Sequence, residues 1–312
     1  MSLRRPAAPD RYHPSVQGRF PVGFVGLGKL GTGMAEAMRR AGWPLHVWAR
    51  RPASLEPFVG LSGVEIVDSR RELGARCELV GVCVTADADV EAVVLGDDGV
   101  LAGMDRGGVI AVHSTVSPST CLGLAAIAAE RGVTVVDAPV DGHENDALEG
   151  HLTVMVGGDL QVFERIRPVL SSYGEPITHL GPLGAAQVVK LLNNLLFTAN
   201  LGLALEALEL GVAIGADPVA LQSLFLRGWS RSGSLESWSC LIPPEGVDHL
   251  ALLLGKDVSH ALDELERRSL ASAPLVAAAR AALDRIEDPP VLVPPGSLAS
   301  VPPGESDDQT AL

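Results

Sequence analysis

A chain of 312 residues that is 47% hydrophobic and 20% charged carries enough apolar material for two domains with cores of their own. Its net charge of −14 excludes a general nucleic-acid binder, whose phosphate contacts demand a basic footprint, and argues against anionic membranes. Four cysteines (Cys77, Cys83, Cys121 and Cys240) without CxxC spacing exclude a zinc site or a disulfide framework, so no metal is expected.

Residues 1–19 contain four arginines and prolines at 6, 9 and 14, with no apolar stretch of a secretory signal. They read as a disordered tail, and a cytoplasmic location is expected. The next run, "VGFVG" (22–26), is a short apolar strand. It leads into "GLGKLG" and then a helical pattern that ends at Gly42. A G-x-G-x-x-G on the first turn of a strand–helix–strand unit is a dinucleotide-binding arrangement. Gly26 permits the tight turn, Gly28 the approach of a pyrophosphate, and Gly31 close packing of helix on sheet. The free N–H groups at the helix start then face the phosphates.

The second strand, 45–50, ends in "VWARRP", with no acid before Glu56. An NAD site places a carboxylate there to accept from the ribose 2′-OH; Arg50 and Arg51 instead suit a 2′-phosphate. NADP(H) is therefore the preferred cofactor, with NAD(H) possible. The expected cofactor contacts are Gly26, Leu27, Gly28, Lys29, Leu30 and Gly31, then Arg50 and Arg51, and Thr85 past the fourth strand. Further strands read at 64–68, 79–84, 108–114 and 133–140, with helices between several of them, including 87–95 and 118–131. Continuous apolar strands alternating with helices predict a parallel sheet covered on both faces.

Beyond 140 the alternation fades. Strands at 151–158 and 177–182 flank a helix at 159–172, and from Gly184 the pattern is helical for about thirty residues, roughly 45 Å long. It is apolar around most of its circumference, which predicts a buried spine of a helical domain or a subunit interface. Asp217-Pro218 starts the next helix, and others are expected over 248–270 and 273–286. The end, 289–312, is rich in proline and serine and reads as disordered.

One lysine stands inside the long helix, in "QVVKLLNN". The chain has only three lysines, Lys29, Lys190 and Lys256; its other basic residues are arginine. Interconversion of an alcohol and a carbonyl needs a group that gives and takes a proton at oxygen. A desolvated ammonium can do this and a guanidinium cannot. Asn194 lies four residues on, on the same helical face.

Taken in order, "GFVGLGKLGTGMAEAM", "VSPST", "DAPVDGHENDALEGHLTVMVGGD", "GAAQVVKLLNN…EALELG" and "GKD" resemble the β-hydroxyacid dehydrogenase family over residues 21–286. That family includes 3-hydroxyisobutyrate dehydrogenases and glyoxylate/succinic semialdehyde reductases, and it is similar to 6-phosphogluconate dehydrogenases. The resemblance implies an α/β fold: a Rossmann domain (20–183) and an all-α substrate and oligomerisation domain (184–288), joined by the long helix. It further implies a cleft between the two domains. By the same resemblance Lys190 is the catalytic lysine, Asn194 holds substrate, Lys256 closes over the nicotinamide, and Ser114 and Thr115 touch the cofactor. Association as a homodimer or higher through the helical domain is implied as well.

The sequence departs from the family at "DAPVDG", where Asp141 replaces a serine that faces the substrate carboxylate. Three readings stay open. Asp141 points away; it is protonated or paired with His143 or Arg231; or the substrate is not a simple acid. Asp141, Gly142, His143, Asn194 and Trp229 form the expected substrate set. His143 reads as a loop histidine before a proton shuttle, and Trp229 as a substrate wall or core packing. The leading expectation is an NADP-dependent oxidoreductase acting on a small hydroxyacid, with Lys190 as general acid and base. The alternatives are an imine reductase-like enzyme, suggested by a family of close structural relatives, and a non-catalytic NADP-binding scaffold.

Overall fold

The computed structural model describes residues 18–241, 246–270 and 273–287. Of the expected tails at 1–19 and 289–312, residues 1–17 and 289–312 lie outside the described residues. Arg19, assigned to the tail, is instead held: Nη1 donates to Gly42 O at 2.7 Å and the guanidinium sits over the Trp43 ring.

The chain divides into two compact units, one ending at Lys190 and the other beginning at Leu191. The first starts with strand β1 (Val22–Val25), helix α1 (Lys29–Arg40), β2 (Leu45–Trp48), a 3-10 turn (Pro52–Phe58) and β3 (Val64–Ile66). It continues through α2 (Arg70–Arg76), β4 (Leu79–Val82), α3 (Asp87–Leu95), α4 (Val100–Gly103), β5 (Val109–Val112) and α5 (Pro118–Glu130). Then come β6 (Thr134–Asp137), β7 (Val140–Asp141), α6 (Glu144–Glu149), β8 (Leu152–Gly157), α7 (Leu160–Leu170) and β9 (Gly174–Gly181). Helix α8 (Ala185–Ala213) leads into the second unit, followed by α9 (Pro218–Arg227), α10 (Gly233–Glu236), α11 (Val247–Arg267) and α12 (Ala273–Glu287).

Strands β3-β2-β1-β4-β5-β6 pair in parallel in that order. Alternate residues of each strand feed opposite cores, as the period of two requires. Phe24, with Met34 and Phe163, lies on one face; Val25, with Val82 and Leu124, lies on the other. The strand order reverses between β1 and β4, and the crevice beyond the carboxyl ends at such a point is where this class of sheet takes its ligands.

Two expectations need correction. The run 133–140 is not one strand. It breaks at Ala138-Pro139, because proline cannot supply a ladder N–H. Nor is the sheet wholly parallel: β8 runs antiparallel to β6 and β7, with β9 parallel on its other side.

In the second unit, buried Leu201, Leu205 and Trp238 pack with Val247 and Leu254, while Leu195 and Ala199 pack with Val258 and Ala279. Asp217 caps α9 by accepting from Ala220 N, as expected of Asp-Pro at a helix start. Helix α8 is not buried all round: Leu192, Leu196, Leu203 and Leu210 are exposed. By length and composition alone it would pass for a membrane span, yet Gln187, Lys190 and Thr198 are buried polar positions on it, as in a core helix.

Candidate active site

The glycine loop lies just past β1. Gly26 takes φ +98°, and a Cβ on it would strike the Cys83 carbonyl; a Cβ on Gly31 would strike the Gly26 carbonyl. Both positions are therefore held to glycine by backbone contact. At Gly28, by contrast, a Cβ would meet nothing within 4 Å. That open space lies over the start of α1, whose first turn has no acid and whose N-cap offers no side-chain acceptor. Free N–H groups and an uncrowded backbone are what a pyrophosphate needs, so the loop fits a dinucleotide. Arg50 and Arg51 follow β2, which pairs with β1 in register, Val25 opposite Trp48, so both exposed guanidinium groups lie beyond the same sheet edge as the loop. Arg50 comes within 3.9 Å of Asp89, a solvated contact of little strength.

At the ends of β5 and β6 the polar side chains are turned inward. Ser114 is buried. Its hydroxyl oxygen accepts from Val84 N at 2.8 Å and tethers the end of β4. The fully buried Gln187 donates to Ser114 O at 2.8 Å and accepts from Val116 N at 3.1 Å. Asp137, also fully buried, accepts from Gly184 N and Gln187 N, both at 2.8 Å. It thus caps the start of α8 from the sheet. Burial pushes the Asp137 carboxyl above the ordinary carboxylate range, and these N–H donors pull it part of the way back.

This anchoring places Lys190, one turn further along α8, beside β7. Lys190 Nζ lies 2.5 Å from Asp141 Oδ1. The lysine side chain is only 8% exposed and that of Asp141 48%. Of the three readings for Asp141 the structure supports pairing, but the cation is Lys190, and the sequence had suggested His143 or Arg231. Gly142 follows at φ +132°. His143 then starts α6, its backbone N–H donating to Asp146 Oδ2 at 2.7 Å while the residue itself is exposed.

In the second unit Asn194 Nδ2 donates to Asp257 Oδ2 at 2.6 Å, and Lys256 Nζ lies 2.8 Å from Asp257 Oδ1. The buried Asp257 thereby gathers both expected functional residues. Trp229 is fully exposed, which rules out core packing. The free thiols of Cys77 and Cys83 are pushed up to about 12 by burial and stay protonated at neutral pH.

Sequence alone assigned no role to Asp137, Gln187 or Asp257. Each carried a faint signal: an acid ending an apolar strand, a glutamine inside an apolar helix, and the last residue of "GKD".

Two family models cover the chain. Residues 21–181 match the NAD binding domain of 6-phosphogluconate dehydrogenase, and residues 184–288 match the NAD-binding region of NADP-dependent 3-hydroxyisobutyrate dehydrogenase. The chain belongs to the β-hydroxyacid dehydrogenase family. Within that family it is 34% identical to 3-hydroxyisobutyrate dehydrogenase of Pseudomonas aeruginosa over 268 residues, 83% of this chain and 89% of the relative. It is 37% identical to 2-(hydroxymethyl)glutarate dehydrogenase of Eubacterium barkeri over 216 residues, 69% of this chain and 71% of the relative. Among solved structures, Mycobacterium tuberculosis 3-hydroxyisobutyrate dehydrogenase with L-serine superposes with a TM-score of 0.74 at 25% identity, covering 90% of this chain and 98% of that one. An imine reductase from Pseudomonas sp. shares the fold alone, at 18% identity and a TM-score of 0.59 over 86% of this chain and 93% of that one.

As a β-hydroxyacid dehydrogenase family member, the chain is an oxidoreductase that uses NAD(P)H and acts on the CH–OH group of a small hydroxyacid. The scaffold reading falls with that, since the named relatives are dehydrogenases.

Proposed function

We propose that this enzyme prefers NADP and that Lys190 is its general acid in reduction and general base in oxidation. The observation that carries the reading is a desolvated ammonium, held by an anchored helix start beside the strand ends that follow the glycine loop. The bound nicotinamide supplies or accepts the hydride. As an ammonium Lys190 gives the proton to the forming alkoxide, and as a neutral amine it takes the proton from the hydroxyl, without needing water at the reacting oxygen. Asn194 and Lys256 are assigned to substrate and nicotinamide, with Asp257 orienting both. Arg50 and Arg51 would meet the 2′-phosphate, and Ser114 and Thr115 the cofactor's inner end. Domains at 20–183 and 184–288 and a cytoplasmic location belong to the same proposal.

Asp141 does not present a bare anion to a hydroxyacid, because Lys190 answers its charge. That removes the main electrostatic reason to prefer a cationic imine. The test is Lys190→Met against 3-hydroxyisobutyrate, 2-(hydroxymethyl)glutarate, L-serine and 1-pyrroline, with fluorescence titration of NADPH and NADH. Turnover should fall by about 10²-fold or more, with NADPH binding unchanged and tighter than NADH. Full activity in the variant would overturn the lysine assignment; equal affinity for the two cofactors would overturn the NADP preference; reduction of the imine alone would overturn the substrate class.

A further inference from the structure

Every oxidative turnover of an alcohol by a nicotinamide enzyme releases one proton, and that proton has to reach water. Lys190, the group proposed to receive it, is almost closed off, with 8% of its side chain exposed. Its partner is more open: Asp141 Oδ1 lies 2.5 Å from Nζ on a side chain that is 48% exposed. Asp141 is also firmly placed. It ends β7, paired with Thr153 of β8, and the turn after it is closed by the donation of His143 N–H to Asp146. Lys190 is fixed from the other side by the hold of Asp137 on the start of α8. A carboxylate on a strand and an ammonium on an anchored helix thus keep a short hydrogen bond between an almost closed side chain and a half-exposed one. A surface ion pair formed by chance would have both partners in water. A pair serving stability alone would gain little, since desolvating the ammonium offsets the attraction.

We infer that Asp141 is the proton relay between Lys190 and solvent. An N–H of the Lys190 ammonium first breaks as Asp141 Oδ1 takes its proton, and the resulting carboxylic acid passes that proton to water, leaving a neutral amine. As the carbinol carbon gives up its hydride to the cofactor and its C–O bond becomes C=O, the O–H bond breaks and its proton bonds to the free electron pair of Lys190 Nζ, which restores the ammonium. Reduction runs the same transfers backwards. In this role Asp141 acts through Lys190. The inference rests on Lys190 being the acid–base group.

The relay has a consequence that binding or packing would not share: a small diffusible base should replace it. With 3-hydroxyisobutyrate and NADP+ in dilute buffer, Asp141→Asn should lower kcat by about 10-fold or more and introduce a solvent isotope effect. Imidazole added at constant pH and ionic strength should then restore kcat to a plateau. Asp141→Glu, which keeps a carboxylate, should turn over in dilute buffer without imidazole, and this distinguishes loss of the relay from loss of the fold. A second readout needs neither cofactor nor turnover. With only three lysines in the chain, 15N-lysine labelling resolves three ammonium signals, and the Lys190 protons should exchange with water more slowly in Asp141→Asn. Wild-type turnover by Asp141→Asn in dilute buffer, a loss indifferent to imidazole, or unchanged exchange would each overturn the relay. Because Lys190→Met tests the acid–base group itself, an inactive Lys190→Met beside an unaffected Asp141→Asn sinks only the relay.

Discussion

His113 shows how much a single buried side chain can impose on the fold. It is buried behind β5, with Nδ1 2.7 Å from Ala138 O and Nε2 3.2 Å from the Tyr173 hydroxyl. The first contact requires a proton on Nδ1, which leaves Nε2 to accept from tyrosine, so the neutral ring satisfies both partners. Burial pushes the imidazole down to about 4, while the unfolded chain titrates near 6.5. Between those values the unfolded chain binds the proton and the native protein refuses it, so stability is whole above 6.5 and drains away as pH falls. The loss should reach about 2 kcal/mol by pH 5. Asp137, with its carboxyl raised, pulls in the opposite direction, but it is present in wild type and variant alike. Denaturant unfolding of wild type and His113→Gln from pH 7 to pH 4.5 therefore isolates the histidine. The wild type should lose about 2 kcal/mol more than the variant over that span, and parallel curves would refute the account.

Helix α8 is the element on which the site depends, and its first turn is tied to the sheet by side chains distant in sequence. Asp137 reaches it across 47 and 50 positions, and Gln187 reaches back across 71 and 73. These separations explain what the sequence could and could not disclose. The lysine and the glycine loop were legible because their chemistry is local: a spacing of glycines after a strand, or an ammonium within an apolar run. Asp137 and Gln187 carry no local pattern, since their partners are backbone groups of other elements. The pairing of Asp141 with Lys190 was missed for the same reason, as 49 residues separate them. Gln187→Leu should remove the clamp with little change in volume. It leaves Val116 N–H and Ser114 C=O buried without their partner, at a cost of about 2–3 kcal/mol. The expected result is a lowered unfolding midpoint together with a reduced kcat, because Lys190 stands less than one turn away. A variant as stable and as active as wild type would show that the clamp does not hold the helix.

For the molecule as a whole, the alternation of strands and helices was enough to predict the Rossmann sheet. The antiparallel edge at β8 was not legible, because strand direction depends on what each strand pairs with. Composition left two readings for α8, the spine of a helical domain or a subunit interface, and its surface bears on that choice. An all-round apolar helix predicts burial, yet Leu192, Leu196, Leu203 and Leu210 are 41–61% exposed. Their spacings of four, seven and seven residues put them in one stripe along the helix. A long stripe of leucine in water is costly, and a self-complementary stripe is most simply covered by the same stripe of a second copy related by a two-fold axis. In such a pairing each substitution counts twice: Leu203→Glu would remove two leucines and add two carboxylates to the seam. The loss is about 3 kcal/mol or more, on the order of a 100-fold weaker dimer. Sedimentation velocity at micromolar concentration should find a dimer or larger assembly in the wild type and a shift toward monomer in Leu203→Glu. A wild type that sediments as a monomer, or a variant that assembles as tightly, would mean that some other contact covers the stripe.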